Sequence, residues 1–105
     1  MRVILASKDE EATEWLAGVL GGGGYSVVVL PEATPESPEL RNADLLIGDP
    51  EAFRALGDSG PRVRLLLSAR GGTVDMSLIQ SFADVLAVPG PPEEVLARIE
   101  HVLTR

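Results

Sequence analysis

Five short apolar runs punctuate the chain: Val3 to Ala6, Val27 to Leu30, Leu45 to Gly48, Val63 to Leu67 and Val85 to Val88, bounded by Gly, Pro, Ser or Asp. Runs that are mostly continuous rather than alternating predict strands covered on both faces, as in a parallel sheet. Helical spacing fills the intervals. In SKDEEATEWLAGVL the apolar positions Ala12, Trp15, Leu16, Val19 and Leu20 share one stripe, Ser7 and Glu10 have the spacing of a capping box, and GGGG ends the segment. The final segment, PPEEVLARIEHVLTR, places Val95, Leu96, Ile99, Val102 and Leu103 on one stripe, with Glu94 and Arg98 spaced to pair on the surface. Shorter helices are expected near Ser37 (SPEL), at DPEAFRAL, and over roughly Val74 to Phe82.

Strands alternating with helices imply right-handed crossovers. The expected architecture is α/β: a flavodoxin-like, doubly wound five-stranded parallel sheet in the order 2-1-3-4-5, with helices on both faces, forming a single domain over residues 1–105. In such a sheet ligands bind beyond the carboxyl ends of the strands. Candidate chemistry is therefore sought at Ala6 to Lys8, Gly48 to Glu51, Ser68 to Gly72 and Val88 to Pro92.

Composition narrows the function. A net charge of −7 opposes binding of a polyanion, which needs clustered Lys and Arg, so no nucleic-acid partner is expected. The absence of cysteine excludes disulfides, thiolate metal sites and thiol catalysis. The apolar run near the N-terminus is too short for a membrane span or signal-peptide core, and a cytoplasmic protein with no membrane partner is the expectation.

The segment DLLIGDPE carries the strongest chemical signal, ending a strand on Asp49 five residues after Asp44. LLLSAR places Ser68 and Ala69 at the end of the fourth strand, and DVLAVPGPPEEVLARI runs through Val88 and Pro89 into the last helix. Together these resemble the receiver domain of two-component response regulators along the whole chain. The resemblance implies that Asp49 stands at the phospho-accepting aspartate, Ser68 and Ala69 at the Thr/Ser-Ala pair, and Pro89 at the proline after the fifth strand.

Two positions depart from the family. Its Mg²⁺-binding acidic pair after the first strand is replaced by Ser7 and Lys8, and its lysine on the fifth strand by Val88. A hard divalent cation needs carboxylate oxygens, and phosphoryl transfer depends on charge stabilisation, so both main contributions are lost. The switch aromatic aligns with Val85, and the stretch between Asp49 and Ser68 is short for a full third helix. A degenerate receiver, non-enzymatic and without metal or cofactor, is the leading expectation.

Each candidate also has a plainer role. Asp49 followed by Pro50 and Glu51 is a favoured helix start, and the cap is the reading carried forward. Alternatively Lys8 reaches Asp49 and fills the metal's place, or Asp49 is phosphorylated in an atypical receiver. SARGGT, Ser68 to Thr73, offers a weaker alternative as an anion or nucleotide loop. His101, off the apolar stripe and without a second histidine, is expected on the surface.

The expected function is phosphorylation-independent binding of a protein partner or a second copy, in bacterial signalling or regulation. The family's usual contact face implies Met76, Leu78, Ile79, Val85, Leu86, Ala97 and His101 as interface candidates. The chain is expected to be free-standing or a segment of a longer regulator, such as those preceding some pilus or septum-site ATPases.

Overall fold

Strand β1 (Arg2–Ala6) is the centre from which the architecture is built, because both of its neighbours hydrogen-bond to it in parallel. Helix α1 (Glu10–Gly22), β2 (Ser26–Val29), a 3-10 turn (Pro38–Asn42), β3 (Leu45–Gly48), α2 (Pro50–Leu56), β4 (Arg64–Ala69), β5 (Asp84–Val88) and α3 (Pro92–Leu103) follow. The computed structural model describes residues 1–32, 34–57, 60–61, 63–69, 84–88 and 91–104, with only the backbone for 66, 68, 69 and 84–88. The sheet order is β2-β1-β3-β4-β5 and every pairing is parallel. This is the α/β parallel-sheet architecture expected from the apolar runs.

Alternate residues of β1 and β3 face opposite layers, as the period of a strand requires. Val3, Leu5, Leu45 and Ile47 pack with Leu16 and Leu20 of α1 and with Val95, Ile99 and Val102 of α3. Ile4, Ala6 and Leu46 pack on the other side with Leu40 of the 3-10 turn and with Phe53 and Leu56 of α2. Helical cover on both faces explains why β1 and β3 read as unbroken apolar runs.

Local signals explain the element ends. Asp9 caps α1, its Oδ1 accepting the Ala12 N–H at 3.1 Å, while the buried Thr13 hydroxyl donates back to the Asp9 carbonyl. The Ser7–Glu10 capping box is therefore corrected: Ser7 Oγ accepts the Asp9 N–H at 3.1 Å and holds the turn into the helix. Asp9, two residues later in the chain, takes the Ala12 N–H instead and so sets the start of the helix. After α1, Gly24 takes φ +89, a left-handed conformation open to glycine, and the chain turns directly into β2.

Two further expectations shift. β4 begins one residue later than anticipated and continues to Ala69, so Ser68 and Ala69 lie inside its pairing with β5. β2 is only partly covered, because it lies at the edge of the sheet, and Val29 remains 39% exposed. The helix expected over Val74 to Phe82 lies outside the described residues. Among the described residues, no helix is long and apolar enough to cross a membrane.

Candidate functional site

Gly48 brings the carboxyl end of β3 against β1 and lets α2 start close to the sheet. A Cβ there would lie 3.1 Å from the Ala6 carbonyl oxygen and 3.3 Å from Phe53, closer than ordinary contact. Asp49 follows immediately. Its backbone N–H donates to the Ala6 carbonyl at 3.3 Å, its Oδ1 accepts the Ala52 N–H at 2.8 Å, and Pro50 occupies the first turn of α2. The side chain thus fills the N-cap role predicted for it. Its second oxygen has no hydrogen-bond partner among the described residues.

Asp49 lines a cavity of about 210 Å³ at the carboxyl ends of the strands, together with Ser7 and Lys8 from the turn after β1. The remaining wall comes from Pro31, Glu32 and Thr34 beyond β2, and from Glu51, Ala52 and Ala55 of α2. The sequence reading passed over Glu32 and Thr34, although they follow a strand end in the same way as the candidates that were singled out. The strand-end rule would have found them had β2 been treated like its neighbours.

Charges in this cavity are arranged otherwise than a metal site requires. Ser7 is buried, and its oxygen already accepts the Asp9 N–H. Lys8 does not engage Asp49: its Nζ lies 3.7 Å from Glu51 Oε1, in a pair whose side chains are 61% and 75% exposed. The proposal that Lys8 occupies the metal's place is thereby corrected. Glu51 is exposed in the first turn of α2, where an ammonium keeps its hydration while still meeting a carboxylate.

Asp9 caps α1 and is not among the residues lining the cavity. No group of three His, Cys, Asp or Glu residues able to hold a metal ion occurs among the described residues. Glu32 and Glu51 share the cavity with Asp49, but Lys8 is paired with Glu51, and the described carboxylates do not converge on one point. The donor set does not fit Mg²⁺.

Ser68 and Ala69 pair with Ala87 and Val88 at the same end of the sheet. The backbone register thus brings these candidates to the carboxyl edge, although their side chains, and Pro89 altogether, lie outside the described residues. Of the proposed contact residues, Ala97 and His101 are exposed one turn apart on α3, and Val85 and Leu86 belong to β5. Met76, Leu78 and Ile79 lie outside the described residues, as does the Arg70 to Thr73 part of the anion loop.

No family model matches the chain, and no curated protein matches it by sequence. Solved structures do. The BeF3-activated N-terminal receiver domain of RstA from Klebsiella pneumoniae superposes with a TM-score of 0.74 at 23% identity, covering 100% of both chains. A response regulator from Thermotoga maritima gives 0.74 at 17% identity, covering 99% of this chain and 98% of that one. A candidate pilus assembly protein (cpaE) from Burkholderia thailandensis E264 gives 0.74 at 18% identity, covering 100% and 99%. At these identities the likeness establishes a shared fold, that of receiver domains.

Proposed function

We propose that this chain is a pseudo-receiver: a non-catalytic module that binds a protein partner, or a second copy of itself, in bacterial signalling without being phosphorylated. The observation that carries the reading is the disposition of charge around Asp49. One carboxylate oxygen closes the first turn of α2, and the only nearby ammonium, among the described residues, is paired with Glu51. Among the described residues, no cluster of carboxylates is able to hold Mg²⁺ and no cation pairs with Asp49 to stabilise a transferred phosphoryl group. The aliphatic Val88, at the β5 position level with Ala69, adds no charge.

Binding then falls to a surface rather than to the pocket. The region around β5 and α3, with Ala97 and His101 exposed, is where we place partner contact. Amide NMR spectra recorded with Mg²⁺ and beryllofluoride test the reading. We expect unchanged resonances for Asp49, Lys8 and Ser68, and no phosphorylation by acetyl phosphate; saturable shifts centred on Asp49 would overturn it.

One observation favours a second reading, an atypical but working receiver. Asp49 lines the cavity, and its capping bond engages only one of its two oxygens among the described residues. In that case the same titration shows the shifts, and Asp49→Asn abolishes them.

A further inference from the structure

β2 has a neighbour on one side only. The N–H groups of Ser26 and Leu30 donate to the carbonyls of Met1 and Leu5, so the even-numbered residues of this strand turn their backbone groups toward β1. Val27 and Val29 consequently turn theirs outward, and no strand pairs with that edge among the described residues. An edge of unpaired donors and acceptors is complementary to another strand. Proteins usually blunt such an edge with lysine, proline or a bulge, yet SVVV contains none of these.

The chain's own charge pattern indicates which strand fits. From Trp15 to Pro31 there is no charged side chain, whereas the molecule as a whole carries −7. Two copies repel over most of their surfaces and meet without that penalty along this stretch. The edge is also self-complementary. With Val28 opposite Val28 of a second copy, Val27 faces Val29 in both directions, so the two outward residues of each strand satisfy one another in about four hydrogen bonds. The same register sets Pro31 opposite Tyr25, whose N–H already donates to the Leu20 carbonyl, and Glu32 opposite Gly24, so no like charges are opposed.

We propose that β2 pairs antiparallel with β2 of a second copy of this chain, about a two-fold axis at Val28, joining the two sheets into one. This contact lies on the opposite edge of the sheet from the β5 and α3 surface and does not depend on the state of Asp49. It extends through the alternating faces: Val27 already packs toward α1 and Val28 toward the 3-10 turn. In the paired form the exposed Val29 gains a neighbour on the α1 side.

A strand contact of this length is small for an interface, and sedimentation equilibrium from about 10 µM to 1 mM covers the range in which it should appear. We expect a monomer–dimer equilibrium whose dissociation constant rises at least about tenfold in Val29→Pro, because proline removes an outward N–H without breaking a bond to β1. Circular dichroism of Val29→Pro checks that the fold is retained. Ala97→Arg, on the other proposed surface, should leave the equilibrium unchanged.

The register is tested independently of that variant. The chain has no cysteine. In Val28→Cys the new thiols would stand in a directly opposed pair, with Cα atoms about 4.5 Å apart, within disulfide span. We therefore expect Val28→Cys to form a linked dimer under mild oxidation faster than Ser26→Cys, although Ser26 is the more exposed position. A monomer throughout the concentration range, a dimer that is lost in Ala97→Arg but kept in folded Val29→Pro, or faster linkage through Ser26→Cys would each overturn the proposal. Binding of an unrelated extended peptide to a strictly monomeric chain would likewise replace self-pairing with another occupant.

Discussion

The two layers that cover the sheet are built very differently. On one side α1 and α3, of 13 and 12 residues, contribute Leu16, Leu20, Val95, Ile99 and Val102 to a continuous core. On the other side the described cover is a five-residue 3-10 turn and the seven-residue α2, contributing Leu40, Phe53 and Leu56. The cavity with Asp49 lies where α2 starts, on the side with the shorter described cover. Among the described residues, the long helices supply most of the buried helical side chains, while the candidate chemistry sits on a short helix held by its cap. Damage to the first layer should unfold the protein, and damage to the second should chiefly move the pocket.

The largest effect tests that division directly. Leu16 is fully buried between α1 and the sheet, and Leu16→Ala should cost about 2–5 kcal/mol in denaturant unfolding. Leu40, 4% exposed on the 3-10 turn, belongs to the smaller of the two described clusters. Leu40→Ala should fall at or below about 2 kcal/mol, the low end of the same range. Equal losses, or a greater loss at Leu40, would remove the distinction between the layers.

Next in size is the junction that joins the thin layer to the sheet. In Gly48→Ala the added methyl meets a carbonyl oxygen of β1 and the Phe53 ring, and the former cannot swing aside. We expect a loss of about 1–3 kcal/mol, with amide shifts running along α2 from Asp49. An unchanged spectrum would mean that α2 is not positioned by this close approach.

Asp49 itself follows. If its carboxylate serves as the cap, Asp49→Ala should destabilise by about 1 kcal/mol, while Asp49→Asn, an equally good cap, should be nearly neutral. A carboxylate kept for phosphoryl chemistry at a cost in stability would behave in the opposite way, and both variants would be more stable than the parent. Thermal unfolding of the three proteins decides the matter.

What was legible beforehand follows the same division. The parallel-sheet strands were visible because cover on both faces leaves unbroken apolar runs, and the α1 and α3 stripes because burial on one face imposes a period that Leu16, Val95, Ile99 and Val102 obey. The Asp49 cap was visible too, since Asp-Pro-Glu is a purely local signal. The pocket's electrostatics were not. Whether Lys8 meets Asp49 or Glu51 depends on which way a long side chain leaves the β1 turn, and several carboxylates compete for it at similar cost. The switch of cap from Ser7 to Asp9 has the same origin: two oxygens lie within reach of the helix start, and backbone geometry decides between them. Partial cover of β2 was hidden because its valine run is as unbroken as the apolar runs of the central strands.

The smallest effect bears most closely on the pocket. Lys8 and Glu51 are 3.7 Å apart with most of each side chain in water, so their attraction competes with full hydration and is screened by salt. A double-mutant cycle of Lys8→Met and Glu51→Gln should give a coupling of at most about 0.5 kcal/mol, vanishing near 1 M salt, where the screening length falls to about 3 Å. A companion cycle of Lys8→Met with Asp49→Asn should be additive within error, because the lysine is directed away from the cap. If instead the Lys8–Asp49 cycle shows a coupling above about 1 kcal/mol that survives high salt, the ammonium is held over the acceptor carboxylate in solution. The pocket would then be neutralised from within rather than left open on one side, and the second oxygen of Asp49 would no longer be free to meet a phosphoryl donor.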